Sequence, residues 1–491
     1  MTPTLILSVI LIYFCLLFAI SWWAGRKTDN AGFFSGNKQS NWVLVAFSTI
    51  GAAISGVTFV SVPGMVNTSA FSYMQMVLGF TVGQLIVAYV LVPLYYKMNL
   101  TSIYEYLRFR FGMYSYKTGA WFFFISKLLG ASVRLFVVSA VLQLLVFKPL
   151  GLPFLLNAIC TVAVVYLCTF RGGVRSLVWT DLLKTLCLIL SVVLCIVFIL
   201  KSGVTFDGID TSERARWFFF DDINDPRYFW KQFLAGIFLL IATTGLDQDL
   251  MQRTLSCKNY KESQRNIVVA TIVQFFVILL FLLLGWLLYT FADNKGINLS
   301  GLQGDDVFPY LATGNYFPTI VGVLFIVGFI AAAYSAAGSA LTALTTSFSI
   351  DILNSKEKET DKTTKTRKIV HIVMALLMMI CIYVIWLLNN DSVIQTVYKV
   401  ASYTYGPLLG IFCFGILTKW QVRDKWIPLV ALLSPVLCLI LDLNSRTWFS
   451  GYVFSHERLI LNALFTFIGM CCLIKKDKGK TVSVDKEKLT K

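Results

Sequence analysis

The amino-acid sequence predicts an all-α integral membrane protein with about thirteen transmembrane helices. The chain has 491 residues, of which 57% are hydrophobic and only 14% are charged, and its mean hydropathy is +0.73. A soluble domain carries roughly 25% charged residues, so this chain lacks the polar surface that a soluble protein needs. A spanning helix requires roughly 20 predominantly apolar residues, and such runs recur from one end of the sequence to the other.

The apolar runs leave no long stretch for a domain outside the membrane. We therefore expect a single membrane domain over residues 1–474 and a polar tail over 475–491. Trp22 and Trp23 close the first run, as is typical of an interfacial anchor. In chain order, the predicted spans cover residues 4–24, 42–66, 71–96, 118–147, 153–170, 175–200, 229–246, 266–291, 315–347, 368–388, 394–417, 427–441 and 459–474.

The net charge of +16 follows the predicted topology. Of the 42 Lys and Arg residues, 29 lie in connections on the C-terminal side, counting Arg175 and Lys368 at the first positions of their spans, and 8 lie in connections on the N-terminal side. This positive-inside asymmetry predicts a multi-pass protein of the cell (plasma or inner) membrane, with its N-terminus outside and its C-terminus in the cytoplasm. We therefore expect no nucleic-acid partner, while the lysine-rich tail is placed to contact anionic membrane lipid.

Enzyme signatures are missing from the sequence. It has only two histidines, His371 and His456, and neither a phosphate-binding loop nor a spacing typical of metal ligands. The eleven cysteines fall mostly within predicted spans, where thiols act as small hydrophobic groups. A membrane enzyme is the rival class of protein. Because the sequence offers no catalytic group of residues, we expect a protein that is not an enzyme.

The second span carries the strongest signal for a broken helix. Its stretch 51–64 contains three glycines and Pro63, with Ser55 and Thr58 among its polar residues. A helix that breaks at mid-membrane exposes backbone oxygens and amides, which transporters use to hold ions and solutes. Close packing against another helix is the alternative explanation for the small residues.

Two further segments carry weaker signals. The seventh span ends in Ala-Thr-Thr-Gly at 242–245, five spans after the first candidate break, which would suit two five-helix repeats of inverted topology. In the ninth span, Ser335 and Ser339 share one face of a run of small residues at 331–343. Hydroxyl oxygens suit an alkali cation, but small residues also favour plain helix packing, and both interpretations stay open.

Charged residues inside spans cost roughly 2.5–3.5 kcal/mol each on insertion scales, so each is a functional hypothesis. Arg134 lies near the middle of the fourth span, with Lys127 seven residues earlier. Arg134 could bind an anionic group of a substrate, or it could pair with a carboxylate of another helix. Asp181 in the sixth span could attract a departing cation, or pair with Lys184 one turn further on.

Several motifs in order along the chain resemble the sodium:solute symporter family, and the resemblance covers almost the whole sequence. It implies a LeuT-type fold, with inverted repeats in spans 2–6 and 7–11 and a core at about 42–417. It also implies alternating access driven by a sodium gradient. The motifs lie at 54–59, 63–64, 101–112, 179–181, 247–248, 252–253 and 406–410.

The resemblance implies a sodium site between the second and ninth spans. Position 336 is Ala where the family usually has Ser or Thr, and position 338 is Gly, so the number and identity of the coupling ions stay open. Matched to this sequence, the family's sodium ligands fall on Gly51, Ile54, Ala332 and Ser335. Ser339 lies one turn beyond Ser335, and Asp181 could attract the departing ion. The expected sodium-binding residues are therefore Gly51, Ile54, Ala332, Ser335, Ser339 and Asp181.

The substrate is expected to be a small organic anion. The positions that match the contacts of sugar-carrying members hold Ala53, Thr58, Leu240 and Thr243, which disfavours a neutral hexose. Members that carry sialic acid are more similar, although their carboxylate-binding arginine aligns with Gly130, one turn before Arg134. The expected substrate contacts are Ser55, Thr58, Tyr73, Arg134 and Thr243.

These expectations combine into one function. The sequence predicts sodium-coupled symport of a sialic acid or a monocarboxylate-like solute by alternating access. A symporter of sugars or other neutral solutes, and a sodium-independent facilitator or sensor of the same fold, are the alternatives. The exact substrate and the oligomeric state are left undetermined by the sequence.

Overall fold

The computed structural model describes residues 3–25, 42–100, 102–169, 173–353, 361–388, 393–449 and 451–475. The predicted tail lies outside the described residues, apart from Lys475. The described part of the chain is almost entirely helical and contains no sheet, only one isolated bridge between Val422 and Ile474. The prediction of an all-α membrane protein is confirmed.

Thirteen helical segments match the predicted spans in order, and we number them accordingly. They are α1 (Pro3–Gly25), α2 (Trp42–Ala53 and Gly56–Gly64), α3 (Tyr73–Lys97), α4 (Met113–Leu142), α5 (Phe154–Thr169), α6 (Gly173–Lys201), α7 (Phe229–Gly245 and Gln248–Thr254), α8 (Tyr260–Lys295), α9 (Thr319–Ile352), α10 (Asp361–Leu388), α11 (Val393–Leu417), α12 (Ile427–Trp448) and α13 (Arg458–Cys472). Eight helices within the described residues are long and apolar enough to cross a membrane, or ten with the bent α2 and α7. The number of crossings stays a prediction, because the apolar segments of α1, α5 and α13 are shorter.

Helix α2 bends by 53° in the segment that the sequence marks as a break. Its first half ends at Ala53, and Ser55 takes an extended conformation (φ −88°, ψ 166°) before the second half begins at Gly56. Ser55 caps this second half, since its side chain accepts a hydrogen bond from the Thr58 amide at 3.3 Å. A serine at this position satisfies an amide that the helix itself leaves unpaired.

Helix α7 bends by 69°, so both predicted breaks are present and lie five helices apart. The first half ends in a π-helical turn over Ile241–Gly245. Asp247 then takes an extended conformation (φ −101°, ψ 117°) and caps the second half through hydrogen bonds from the amides of Asp249 and Leu250. The break therefore depends on an aspartate cap as well as on the glycine.

Glycines let the bent helices approach their neighbours backbone to backbone. A Cβ atom on Gly236 of α7 would lie 2.3 Å from the Met76 carbonyl oxygen of α3. A Cβ atom on Gly64, at the end of α2, would lie 2.0 Å from the carbonyl oxygen of Gly304, which begins the short helix Gly304–Thr313 between α8 and α9. Glycine at these two positions therefore permits the close packing of both bent helices against their neighbours.

Candidate functional site

The α7 break is closed by side chains of neighbouring helices. Tyr95 donates a hydrogen bond to the Gly245 carbonyl at 2.9 Å, and Tyr104 donates one to the Leu246 carbonyl at 2.9 Å. All four residues are buried. An irregular backbone is tolerated at membrane depth only where such partners replace the missing helical bonds.

The α2 break presents polar groups instead of a closed surface. The hydroxyls of Ser55 and Thr58 lie 3.1 Å apart at the start of the second half-helix. The N-terminal end of a helix carries a partial positive charge, which favours a nearby anion or the oxygen of a ligand. On the opposite side of this break, the Gly51 carbonyl accepts a hydrogen bond from the Lys184 ammonium of α6.

A cavity of about 160 Å³ lies between the two breaks. Its lining comes from α2, α3, α4, α7, α8, α9 and α11. The structure brings all five predicted substrate residues to this one cavity, namely Ser55, Thr58, Tyr73, Arg134 and Thr243. Their roles as substrate contacts stay predictions, although their convergence is what a binding site requires.

Arg134 lines the cavity half-buried, and it makes neither a hydrogen bond nor an ion pair with the residues that the structure describes. Eight residues earlier on α4, the Ser126 hydroxyl lines the same cavity, is buried and has no hydrogen-bond partner in the part of the chain that the structure describes. Buried polar groups in proteins are almost always paired. The half-buried Arg134 guanidinium and the buried Ser126 hydroxyl, both on α4, are therefore available to a ligand.

Other polar groups of the cavity are paired with one another. The Gln84 amide of α3 donates to the Gln274 amide oxygen of α8 at 3.1 Å, and both side chains line the cavity. The Thr271 hydroxyl donates to the Gln84 oxygen. Thr243 donates to the Leu239 carbonyl of its own helix at 2.8 Å.

An ionic cluster, which we define as Lys127, Asp247, Asp249 and Arg253, borders the cavity beside the α7 break. The Lys127 ammonium lies 3.1 Å from the Asp247 carboxylate and 2.8 Å from the Asp249 carboxylate. Arg253 lies 3.4 Å from the Asp249 carboxylate, one turn along α7. Since two cations and two carboxylates face one another, the cluster carries no formal net charge.

The ionic cluster joins helices from both predicted repeats. Arg253 donates to the Ser48 hydroxyl of α2 at 2.9 Å, and Tyr405 of α11 donates to the Asp247 carboxylate at 2.6 Å. The Ser339 hydroxyl of α9 accepts from Arg253 and donates to Asp249. All of these groups are buried.

The residues predicted to bind sodium lie close to this cluster but do not all share one surface. Ile54 and Ser339 line the cavity, whereas Gly51 and Ala332 are buried outside it. The side chains of Ser335 and Asp181 lie outside the described part of the structure. The sodium assignment stays a prediction.

One face of the bundle carries the connections at 98–112, 255–259 and 418–426. There, Asp351 at the end of α9 accepts hydrogen bonds from Tyr116 of α4 at 2.9 Å and from Ser347 at 2.7 Å. Lys117 donates to the Ile352 carbonyl at 3.1 Å. Together with the ionic cluster, these contacts join α4, α7 and α9 on this side of the cavity, which we call the closed face.

The opposite face carries a wide vestibule of about 790 Å³. Tyr73 lines both the vestibule and the central cavity, so it marks the boundary between them. Arg214, Arg227 and Arg458 line the vestibule, and each pairs with a carboxylate at 2.6–2.9 Å. We call this side the vestibule face.

Two titratable groups at the vestibule face have shifted pKa values. The hydrogen bond from the Arg227 side chain lowers the pKa of Asp225 below its usual value. Burial, together with the nearby Arg458, lowers the pKa of His456 to about 4. Both groups therefore keep their charge state across the physiological pH range.

Sequence reasoning missed the ionic cluster as a unit. It quoted Asp247 and Arg253 only as members of motifs, and Lys127 only as a neighbour of Arg134. A signal was present, because three of the four charges lie within one stretch at 247–253 directly after the predicted break. Within the described residues no group of His, Cys, Asp and Glu side chains could hold a metal ion by itself.

Solved structures show the same fold. The structure resembles a Na⁺-coupled sialic acid symporter in its substrate-bound outward-open state, with a TM-score of 0.79 and 18% identity over 96% of this chain and 99% of that one. It also resembles Mhp1, a transporter of the nucleobase-cation-symport-1 family, with a TM-score of 0.53 and 15% identity over 89% and 92% of the two chains. The architecture is thus of the LeuT type, as the resemblance predicted.

Sequence relatives extend over most of the chain. It is 23% identical to the sodium/sialic acid symporter of Aliivibrio fischeri, over 90% of this chain and 88% of the relative. It is also 23% identical to the human sodium-coupled monocarboxylate transporter 2, over 86% of this chain and 70% of the relative. The sodium:solute symporter family itself matches over residues 33–423, which include both breaks, the cavity and the ionic cluster. The chain therefore belongs to the sodium:solute symporter family, and it is a multi-pass membrane transporter of small solutes rather than an enzyme.

Proposed function

We propose that this protein carries a small organic anion across the membrane together with sodium, and that Arg134 binds the anionic group. The observation that supports this most directly is the charge balance of the cavity. The ionic cluster is neutral within itself, whereas Arg134 lines the same cavity with no ion pair among the described residues. A cationic side chain inside a membrane bundle is costly without a counter-ion, so an anionic solute is the natural partner.

The remainder of the cavity suits the polar, uncharged part of a solute. Ser126 of α4 offers a hydroxyl that is unpaired among the described residues, and the Gln84–Gln274 pair joins α3 and α8 at the same cavity. The relatives include proteins named for sialic acids and for monocarboxylates, both of which carry a carboxylate. An arginine binds a carboxylate through two parallel hydrogen bonds, so a sialic acid or a monocarboxylate is the proposed substrate class.

A neutral polyhydroxylated solute is the second candidate. The Gln84–Gln274 pair favours it, since amide side chains both donate to and accept from hydroxyl groups. With a neutral solute, Arg134 would have no anionic partner among the described residues, which is why we place this candidate second.

Sodium is the proposed coupling ion, as the family name implies. A tenfold inward sodium gradient contributes about 1.4 kcal/mol, and 100 mV of membrane potential about 2.3 kcal/mol per charge. An anion carried with one sodium moves no net charge, so its accumulation would follow the sodium gradient alone and reach about tenfold. Higher accumulation would need a second cation.

The proposed orientation in the cell membrane follows the basic residues. Most Lys and Arg residues of the connections lie on the side of the closed face and the tail at 475–491. The positive-inside rule puts that side in the cytoplasm, and the vestibule face and N-terminus outside. Reporter fusions at either terminus would test this topology, because only the cytoplasmic terminus should support a cytoplasmic reporter.

The test of the substrate uses purified protein, a thermal-shift assay and proteoliposome uptake. N-acetylneuraminate and lactate are the anionic probes, and mannitol is the neutral one. We expect stabilisation by an anionic probe, and uptake of that probe driven by an inward sodium gradient. Arg134→Ala removes a charged hydrogen-bond donor worth about 1.5–3 kcal/mol, so it should weaken anion binding about 10- to 100-fold.

Arg446, which is exposed at the end of α12, supplies the matched control. Arg446→Ala removes the same charge away from the cavity and should leave anion binding unchanged. If Arg134→Ala bound the anionic probe as tightly as the wild type, the anion assignment would be wrong. Sodium-independent, non-concentrative flux would instead favour a facilitator.

A further inference from the structure

A buried lysine contacts the predicted sodium site. Lys184 of α6 has no solvent-exposed surface, and its ammonium donates a hydrogen bond to the Gly51 carbonyl at the end of the first half of α2. Gly51 is one of the carbonyls that the family resemblance assigns to sodium. A protein cation thus already uses an oxygen that the transported ion is expected to bind.

The α9 side of the same site also differs from the usual pattern of the family. Position 336 is alanine, which offers no side-chain oxygen, and it faces the cavity. One turn away, the Ser339 hydroxyl lies between Arg253 and Asp249, with bonds to both. Of the expected oxygen ligands, one carbonyl and one hydroxyl are therefore held by cationic side chains of the protein.

Sodium and an ammonium group have the same charge and seek the same oxygen ligands. Bound next to one carbonyl, they repel each other strongly even at an effective protein dielectric constant of about 20. A buried ammonium is itself stabilised by the oxygens it binds, because it has lost its water. The two cations cannot both be held tightly at Gly51.

We infer that Lys184 is a tethered cation which competes with the transported sodium for the Gly51 carbonyl, so that sodium enters only when the ammonium withdraws. This inference rests on the proposed sodium site between α2 and α9. We therefore expect sodium to bind weakly to the conformation described. In that conformation, the Lys184 ammonium links α6 to the α2 break by its hydrogen bond to the Gly51 carbonyl.

The test measures sodium binding to the substrate-free protein. Purified protein is titrated with sodium chloride against choline chloride at constant ionic strength, and unfolding is followed by the fluorescence of its twelve tryptophans. Lys184→Met keeps much of the aliphatic side chain and removes the charge. Because a repelling unit charge is lost, we expect the half-saturating sodium concentration to fall by about tenfold or more.

Three further variants make the result specific. Lys184→Gln is a second neutral variant, whose amide can still donate to the Gly51 carbonyl if the methionine variant fails to fold. Lys184→Arg keeps the charge and should keep the weak sodium response of the wild type. Lys231→Met removes another buried lysine, which lies 4.0 Å from Glu457 at the vestibule face, and should leave the response unchanged.

Ala336→Ser restores a hydroxyl on the α9 side. We expect a small gain in sodium affinity when Lys184 is present, and a larger one when it is combined with a neutral residue at position 184. The inference is overturned if folded Lys184→Met or Lys184→Gln shows an unchanged or weaker sodium response. Anion binding and uptake are measured separately, so the proposed function and this inference can fail independently.

Discussion

The breaks in α7 and α2 differ in what satisfies their polar groups. At the α7 break, Tyr95 and Tyr104 bind the exposed carbonyls, and Asp247 caps the following half-helix. At the α2 break, Ser55 and Thr58 face the cavity, and a lysine ammonium binds the Gly51 carbonyl. We infer that the α7 break is a rigid support for the site, whereas the α2 break supplies the groups that bind and release ligands.

The largest loss of stability is expected when the ionic cluster beside the α7 break is disrupted. Lys127→Met leaves the carboxylates of Asp247 and Asp249 without their shared cation, and breaking a buried ion pair in this way costs about 3–5 kcal/mol. The thermal unfolding midpoint of purified protein should fall clearly. Arg134→Met, on the same helix, should leave the midpoint near that of the wild type, because Arg134 makes no ion pair or hydrogen bond with the described residues.

An equal loss of stability in Lys127→Met and Arg134→Met would contradict the distinction between a structural ionic cluster and a ligand-binding arginine. It would mean that Arg134 is a structural residue of the same kind as Lys127. The two variants are matched, because both place methionine on the cavity side of one helix.

A smaller effect is expected from the tyrosines that close the α7 break. Tyr104→Phe leaves the Leu246 carbonyl without a hydrogen bond in a buried position, at a cost of about 1–3 kcal/mol. Tyr89→Phe, at an exposed position of α3, is the control and should change little. Urea or thermal unfolding of the two variants checks this, and equal midpoints would show that the tyrosine does not support the break.

The smallest effect on stability is expected at the α2 break. Ser55→Ala removes a helix cap, which costs about 0.5–2 kcal/mol, and it also removes a cavity hydroxyl. For Ser55→Ala, the loss in free energy of anion binding should therefore exceed the loss in free energy of unfolding. For Tyr104→Phe, the loss in free energy of unfolding should be the larger of the two. Parallel measurements of binding and unfolding test this difference, and the reverse ranking would refute the assignment of roles.

Much of the architecture is accessible from the sequence, because hydropathy and small residues are local signals. The apolar runs predict the order of the helices, and the glycines of α2 predict its break. The five predicted substrate residues also meet at one cavity, since the family resemblance indicates which faces of α2, α3, α4 and α7 turn inwards. The apolar lengths of α1, α5 and α13 leave the count of crossings as a prediction.

Pairings between charged residues that are far apart in the sequence cannot be predicted from such local signals. The sequence left Arg134 equally open to a substrate and to a carboxylate of another helix. In the structure, Lys127 takes both nearby carboxylates, 120 or more residues away along the chain. For Lys184, the sequence offered Asp181 one turn away, whereas the structure adds a contact to the Gly51 backbone, which no side-chain pattern encodes.

The ionic cluster also bears on the speed of transport. It connects Ser48 and Lys127 of the first repeat with Asp249 and Ser339 of the second. If one repeat moves against the other to open the closed face, these partners separate, and water has to hydrate each charge as it is exposed. We expect this step to set the turnover rate, with a steep temperature dependence that solute affinity does not share.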